Sequence, residues 1–217
     1  MATILERKKK PRSARSGQRE PTWAVSQFFP MQGDWTESDY LALERICGNR
    51  MIELANGCLE VLPMPDLYHQ RIVKWLLGKV DEFILPSELG EAMMAPLPIK
   101  LFPGQMREPD IAFFGKHRVL DLRDPPLGAD LVMEIVSPGN ENRERDFEDK
   151  RADYAKAKIP EYWIVDPETK TITVLTLSGK SYKVHGEFKA GQTAASKLLK
   201  GFKVAVSEVF AAGEAKG

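Results

Sequence analysis

Apolar residues recur along this chain with two periodicities, one typical of helices and the other typical of strands. The clearest helical rhythm covers residues 72–84, where apolar side chains recur at every third or fourth position, and Asp66 stands ahead of it as a candidate N-cap. A capping-box pattern opens a shorter predicted helix at 36–46. A third helix, rich in charged residues, is predicted at 142–157 and ends before Pro160.

A β-hairpin is predicted around Asn56 and Gly57, which stand between two alternating apolar and polar runs. A turn centred on this pair places the apolar residues of both runs on one face and sets Glu53 opposite Glu60 on the other. Like charges directly opposite each other destabilise a sheet. The two glutamates therefore either point into solvent or serve a positive group.

Short apolar runs elsewhere predict the remaining strands. These lie at 92–101, 108–114, 130–136 and 161–166, with a hairpin formed by 171–177 and 181–184 and a last strand near 202–206. The runs 131–136 and 162–165 are almost continuously apolar, which is typical of strands covered on both faces. The pattern predicts an α/β fold in which helices flank a central mixed β-sheet that carries antiparallel hairpins.

At 217 residues, with 43% hydrophobic and 29% charged positions, the chain has the length and composition of a single globular domain. We expect that domain at 31–210, between a basic, disordered tail at 1–30 and a flexible C-terminal tail at 211–217. Residues 1–20 carry seven lysines and arginines against two glutamates, so the net charge of zero leaves a balance of −5 on the rest. The tail is either solvated or bound to nucleic-acid phosphates, and the acidic body argues against a large preformed DNA-binding face.

The chain has the features of a cytoplasmic protein that does not contact membranes. Its apolar runs stay shorter than the roughly 18 residues that a membrane helix needs, and the basic N-terminus lacks the apolar segment of a signal peptide. The two cysteines, Cys47 and Cys58, are too few for a disulfide scaffold and lack CxxC spacing. Three scattered histidines disfavour a zinc site or a histidine-based triad.

Two carboxylates occupy positions where apolar strands bring them close to the core. Glu134 lies inside the run 130–136, and a buried carboxylate without a partner is costly to keep ionised. Asp110 opens the apolar strand before it. Two carboxylates on neighbouring strands offer oxygen ligands to a hard divalent cation, which predicts a metal-dependent hydrolase site. The alternatives are that Asp110 only caps its strand and that Glu134 forms a structural ion pair with Lys150 or Arg151.

Seven segments add to this picture through their order and spacing. They are TESDYLALE (36–44), IELANG (52–57), HQRIV (69–73), EPD (108–110), VMEIVSP (132–138), DFEDK followed by a tyrosine (146–154) and IPEYWIVDP (159–167). Each is weak alone. Together they resemble the PD-(D/E)XK nuclease superfamily and, more closely, the Uma-type restriction endonuclease family, over roughly residues 34–210.

The resemblance implies a restriction-endonuclease-like core and Mg²⁺-dependent hydrolysis of phosphodiester bonds in DNA, with Mn²⁺ able to replace Mg²⁺. It implies that Asp110, Glu134 and the backbone carbonyl of Ile135 ligate the metal. The superfamily signature has a lysine two residues after the strand glutamate, where this chain has Val136, and the resemblance moves that charge to Lys150 on the next helix. A homodimer is expected because two-fold symmetry would match duplex DNA.

Four further side chains have roles under this interpretation. Lys150 would orient the attacking water or stabilise developing negative charge. Glu53 would add a carboxylate directly or through water, and Tyr154 would hold Lys150 or a phosphate oxygen. His69, at a helix start, is a candidate supporting residue. The alternatives are solvated positions for Lys150 and Glu53. For Tyr154 the alternative is a core position near Phe147, and for His69 a structural role.

Two other functions remain open. A catalytically silent nuclease-fold protein that binds nucleic acid or a protein partner would bind neither Mg²⁺ nor Mn²⁺ at the two carboxylates, because a fold does not determine a function. A hydrolase of small phosphoesters would have a closed pocket instead of an open cleft that admits a duplex.

Overall fold

The computed structural model describes residues 32–47, 51–118 and 120–214. Its helices are α1 (Glu37–Cys47), α2 (Leu67–Ile84), α3 (Asn140–Glu144), α4 (Lys150–Lys156) and α5 (Val206–Glu214), with a 3₁₀ turn at Leu85–Ser87 and a π turn at Arg145–Asp149. Its strands are β1 (Ile52–Ala55), β2 (Cys58–Val61), β3 (Gly90–Met94), β4 (Ile99–Phe102), β5 (Gln105–Arg107), β6 (Ile111–Gly115), β7 (Leu131–Ile135), β8 (Glu161–Asp166), β9 (Thr171–Ser178), β10 (Ser181–Phe188), β11 (Thr193–Ala195) and β12 (Lys203–Ala205).

A mixed sheet of six strands forms the centre of the fold, in the order β10-β9-β8-β7-β6-β3. Strands β7 and β8 run parallel, whereas the other neighbours in this sheet are antiparallel. A separate four-stranded sheet has the order β2-β1-β5-β4, and β11 pairs with β12. The predicted α/β fold with a central mixed sheet and antiparallel hairpins is confirmed.

Strands β7 and β8 are buried along their whole length, as their nearly continuous apolar sequence predicted. Side chains alternate between the two faces of a strand. Met133 and Trp163 accordingly pack in one core with α2 and α5, whereas Val132 and Tyr162 pack in a second core with α4. Glu134 has the same parity as Val132, so its side chain is directed to the face that α4 covers.

The hairpin predicted around Asn56 and Gly57 is present, with Glu53 opposite Glu60 as expected. Asn56 and Gly57 have φ values of 51° and 75°, which a type I′ turn requires at both positions. Both glutamates are buried. Arg107 of β5, a strand that the sequence did not predict, donates from Nη1 to Glu53 at 2.8 Å and to Glu60 at 2.6 Å. The glutamate pair therefore serves a positive group.

Some element boundaries differ from the sequence-based expectation. The Asp66 cap of α2 is confirmed, because its side chain accepts a hydrogen bond from the His69 amide at 2.8 Å. The single strand predicted at 92–101 is wrong. Strand β3 ends and β4 begins on either side of Pro96 and Pro98, which have no N–H group to donate to a neighbouring strand.

The two chain ends and the charged helix also differ in part from their predictions. The helix predicted at 142–157 begins at 140 and contains the π turn. Residues 211–214 of the predicted C-terminal tail continue α5, and the flexible tail at 211–217 stays a prediction. The basic tail predicted at 1–30 lies outside the described residues, and the single domain at 31–210 stays a prediction.

Candidate active site

Glu134 is a buried carboxylate in β7, 3% exposed, that α4 holds through two donors. Lys150 Nζ donates to Glu134 Oε1 at 2.8 Å, and the Tyr154 hydroxyl donates to the same oxygen at 2.5 Å. The donors are four positions apart and share one face of the helix. Arg151, the other suggested partner, instead donates to the Tyr182 carbonyl. The predicted return of Lys150 over β7 is confirmed.

Asp110 lies beside Glu134 because β6 and β7 are antiparallel neighbours. Their register pairs Ile111 with Met133, so one residue further it brings Asp110 opposite Glu134. Asp110 Oδ2 accepts a hydrogen bond from the Ile135 amide at 2.7 Å. The predicted placement of two carboxylates on neighbouring strands is confirmed.

His69, in the first turn of α2, contacts the same end of β7. Its Nε2 lies 3.2 Å from Asp110 Oδ2 and 3.2 Å from the Ile135 carbonyl oxygen. Its Nδ1 is buried and makes no hydrogen bond within the described part of the chain. Burial alone would lower the pKa of His69, but the hydrogen bond and charge of Asp110 raise it. His69 thus contacts two of the three predicted metal-ligating groups.

Lys150 is the centre of a buried ionic network. Its Nζ lies 2.8 Å from Glu134 Oε1, 3.3 Å from Glu53 Oε1 and 3.8 Å from Asp146 Oδ1. Burial would lower the pKa of Lys150, but these carboxylates raise it above its ordinary value, so the lysine stays cationic. The solvated alternative for this residue is wrong, because Lys150 is only 2% exposed.

Glu53 is completely buried and lies behind Lys150, not among the residues that line the pocket. Its Oε1 accepts a hydrogen bond from the Glu108 amide, and its Oε2 accepts one from Arg107 Nη1, both at 2.8 Å. Burial would raise the pKa of Glu53, but Lys150 and Arg107 lower it to about 2. Both oxygens are engaged by protein donors, which leaves Glu53 as a partner of Lys150; the solvent-facing alternative is wrong.

Tyr154 combines two of the predicted features. It is completely buried and packs edge-on against Tyr162, with ring centroids 5.1 Å apart, as a core aromatic residue would. Its hydroxyl nevertheless reaches the site, where it contacts Glu134 and not Lys150. Tyr154 does not line the pocket, and its role towards a phosphate oxygen stays a prediction.

The π turn ahead of α4 brings two further charged residues to the site. Arg145 and Asp146 are both buried and line the same pocket as Lys150. Burial raises the pKa of Asp146 against the opposing charge of Arg145. Sequence reasoning assigned these residues no role. π turns are frequent at functional sites, but no local pattern marks this one, and the only signal was that Asp146 begins the DFEDK segment.

These side chains meet around a pocket of about 110 Å³. Its charged lining consists of the carboxylates Glu108, Asp110, Glu134 and Asp146 and the cations Arg145 and Lys150. The lining thus holds four carboxyl groups against two permanent cations, with His69 beside them. Burial, opposed by Lys150 and reinforced by repulsion from Asp110 and Asp146, raises the pKa of Glu134 to about 8. The repulsion among these carboxyl groups is a charge arrangement that a bound cation would relieve.

The donors fit a hard cation that takes few ligands from the protein. Asp110, Glu134 and the Ile135 carbonyl offer oxygen atoms to one pocket, and both hydrogen bonds to Glu134 fall on Oε1. No group of three or more His, Cys, Asp or Glu side chains arranged for metal binding occurs in residues 32–47, 51–118 and 120–214. This arrangement fits a hard divalent cation that keeps several waters and takes only one or two carboxylates from the protein.

Comparisons with known proteins show which family the chain resembles. The model of the Uma2 family, described as "Putative restriction endonuclease", matches residues 38–207. Among solved structures, the chain is similar to a crystal structure of a putative nuclease belonging to DUF820 from Anabaena variabilis. The TM-score is 0.61, with 16% sequence identity, covering 75% of this chain and 90% of that chain. A search of curated proteins found no match.

None of the described helices combines the length and the apolar character that crossing a membrane requires. The family description implies a nucleic-acid substrate, and restriction-endonuclease-like proteins generally use divalent metals. The family match spans most of the sequence, and the solved structure supports a nuclease-like fold. The chain belongs to the Uma2 family of putative restriction endonucleases.

Proposed function

We propose that this protein is a Mg²⁺-dependent endonuclease that hydrolyses phosphodiester bonds in DNA, with Mn²⁺ able to replace Mg²⁺. The observation that carries the proposal is the pocket in which Asp110, Glu134 and the Ile135 carbonyl meet, in a lining of four carboxyl groups and two permanent cations. Family membership supports the reaction class.

Asp110, Glu134 and the carbonyl of Ile135 would hold the cation. When bound, Mg²⁺ supplies positive charge that lowers the pKa of a water molecule and neutralises charge that develops on the phosphate. His69 acts as a positioning residue, because its Nε2 lies within 3.2 Å of both Asp110 Oδ2 and the Ile135 carbonyl oxygen. It thereby fixes two of the three ligating groups relative to each other.

Lys150 replaces the lysine of the superfamily signature. Val136, at the signature position, is buried in the core that contains α4 and carries no charge. Lys150 would orient the attacking water or stabilise developing negative charge, a contribution of about 3 kcal/mol when the donor is preorganised. Glu53 positions Lys150 at 3.3 Å, and Tyr154 positions Glu134 at 2.5 Å.

We also propose that the protein acts as a cytoplasmic homodimer, because two sites related by a two-fold axis would cut both strands of a duplex. Light scattering after size exclusion measures the oligomeric state. Plasmid cleavage separates the two cases, since a dimer converts supercoiled DNA to the linear form and a monomer accumulates the nicked form.

The proposed function is tested by titrating Mn²⁺ and Mg²⁺ into wild type and an Asp110→Ala/Glu134→Ala variant by calorimetry, followed by a plasmid-nicking assay on the same samples. Asp121→Ala/Glu187→Ala, which removes two exposed carboxylates outside the pocket, is the matched control. We expect metal binding and nicking to vanish together in the pocket variant alone. Equal behaviour of wild type and the pocket variant would identify a silent binding module. Metal binding with hydrolysis of small phosphoesters but not DNA would support the small-substrate alternative.

A further inference from the structure

Arg145 is a guanidinium in the pocket wall whose capacity for hydrogen bonding is largely unused. It is 7% exposed and lines the pocket together with Asp110 and Glu134. A guanidinium carries five N–H donors. Within the described residues the Arg145 side chain makes one hydrogen bond, from Nε to Asp146 Oδ1 at 3.4 Å. Its other N–H donors have no partner among the described residues, yet none of them is a fully buried unpaired atom. They are therefore accessible from outside the chain.

A second buried guanidinium in the same chain shows what full pairing looks like. Arg107 donates from Nε and Nη2 to Asp153 at 3.0 and 2.7 Å, and from Nη1 to Glu53 and Glu60 at 2.8 and 2.6 Å. All three of its nitrogen atoms have carboxylate partners. A buried charge is costly unless hydrogen-bonded partners compensate it, so the weaker pairing of Arg145 leaves room for an anion from outside the chain.

The other cation of the pocket is not available in the same way. Lys150 is 2% exposed, and its Nζ is surrounded by three carboxylates at 2.8, 3.3 and 3.8 Å. Its charge is therefore already shared among carboxylates of the protein. Arg145 is the pocket cation that has donors to spare.

We propose that Arg145 forms a phosphate-binding subsite on the wall of the pocket and takes non-bridging oxygens of the phosphate group that is cleaved. The proposal rests on the proposed function, since it assigns the anion of that reaction to this residue. A guanidinium presents two parallel N–H groups that match the oxygens of a phosphate. Asp146 holds the Nε side of the guanidinium, and Gln70 and Ser137 add neutral donors to the same lining.

The carboxylates around Arg145 make the affinity for phosphate depend on a bound metal. A phosphate alone would meet four carboxylates, whereas a phosphate that arrives with a divalent cation would meet a neutralised lining. We therefore expect phosphate and metal to bind more tightly together than separately.

The test compares Arg145→Gln and Arg145→Lys with Arg151→Gln, a control whose guanidinium contacts the Tyr182 carbonyl and does not line the pocket. Fluorescence anisotropy measures the affinity for a labelled DNA oligonucleotide in Ca²⁺, with inorganic phosphate as competitor. Calorimetry measures Mn²⁺ binding without DNA. Thermal melting reports folding.

We expect Arg145→Gln to weaken oligonucleotide binding about 10- to 100-fold, the loss typical of a hydrogen bond to a charged group. Its Mn²⁺ affinity should stay equal or increase, because the variant removes positive charge from the pocket. A purely structural role would instead weaken both. Arg145→Lys keeps the charge but loses the paired donors, so an intermediate loss is expected.

Oligonucleotide affinity of Arg145→Gln within twofold of the Arg151→Gln control would overturn the subsite. If Arg145→Gln does not fold, wild-type affinity in Arg145→Lys would overturn it equally. The two proposals fail separately. Nicking by wild type with unchanged affinity in the Arg145 variants removes only the subsite. Absence of Mn²⁺ binding in wild type, with loss of phosphate binding in Arg145→Gln, removes only the metal-dependent nuclease.

Discussion

Glu134 of β7 and Glu161 of β8 are both buried on adjacent parallel strands, but their carboxylates have different hydrogen-bond partners. Glu161 is 0% exposed, and four neutral donors surround its carboxylate. These are the Trp163 indole and the Ser196 hydroxyl on Oε1, at 2.7 and 2.6 Å, and the Lys197 and Leu198 amides on Oε2, both at 2.8 Å. Both oxygens are used, and the carboxylate ties the segment between β11 and β12 to the central sheet.

Glu134 has fewer hydrogen-bond donors than Glu161 and more negatively charged neighbours. Its two hydrogen bonds fall on one oxygen, and Asp110 and Asp146 raise its pKa further above the value that burial produces. It also lines the pocket described above, whereas Glu161 is not part of that lining. Burial alone therefore does not identify a functional carboxylate. What distinguishes Glu134 is an incomplete set of donors, like charges nearby and access from outside.

The largest expected difference concerns activity. Glu134→Gln keeps the size of the side chain but removes the charge that would bind the cation, so we expect nicking to fall by about 1,000-fold, equivalent to about 4 kcal/mol. Its free energy of unfolding should change by only about 1 kcal/mol, because the lost ion pair is offset by the removal of repulsion. Plasmid nicking and urea unfolding measure the two quantities. Retention of a tenth or more of the wild-type nicking rate would contradict the role of Glu134.

The converse effect is expected at Glu161. Glu161→Ala leaves four buried donors without their acceptor, and we expect the free energy of unfolding to fall by about 3 kcal/mol or more. Activity measured well below the melting temperature should change little. The control is Glu187→Ala, which removes an exposed carboxylate from β10. A loss in Glu161→Ala no greater than in this control would show that the contacts with residues 196–198 contribute nothing to stability.

In the metal-free protein, Glu134 should also make the free energy of unfolding depend on pH. The pKa of Glu134 is raised to about 8 from an ordinary value of 4.5. Between these values the folded chain keeps a proton that the unfolded chain releases, so the free energy of unfolding decreases as the pH rises. This stabilising contribution is complete below the ordinary value and is lost towards pH 8, with a slope of at most about 1.4 kcal/mol per pH unit.

Urea unfolding in EDTA between about pH 5 and pH 8 measures this slope. Glu134→Gln should have a shallower slope than wild type, although Asp146, whose pKa burial also raises, contributes in the same direction. Saturating Mn²⁺ should reduce the slope of wild type, since the metal favours the ionised carboxylate. Identical slopes in wild type and Glu134→Gln would assign the pH dependence to other groups.

Local patterns were sufficient for the elements that place the two pocket carboxylates. Apolar continuity predicted β7 as a buried strand, and the preceding apolar run predicted a neighbouring strand opened by Asp110, whereas their antiparallel register was not predicted. The spacing of Lys150 and Tyr154 predicted their shared helix face, and both reach the same oxygen. These features depend on short-range periodicity, which a single sequence contains.

Other features depend on contacts between distant parts of the chain. Arg107 pairs with Glu53 and Glu60 across 54 and 47 positions, and no local pattern connects them. The π turn that directs Arg145 into the pocket has no sequence signature of its own. Glu161 looked like an ordinary strand residue, because three of its four donors lie more than thirty positions away on a loop. The sequence thus predicted which carboxylate is buried better than what each one contacts.

The smallest expected changes in stability and activity come from removing one of two hydroxyl groups. Tyr154→Phe and Ser196→Ala each remove one neutral donor from Oε1 of a buried glutamate, Glu134 or Glu161. Each should lower the free energy of unfolding by about 1–2 kcal/mol. Only Tyr154→Phe should also lower nicking, by about 5- to 10-fold, because it loosens a carboxylate that would ligate the metal. If Ser196→Ala reduces nicking as much at a temperature where both variants are folded, then the two glutamates do not differ in function as their surroundings imply.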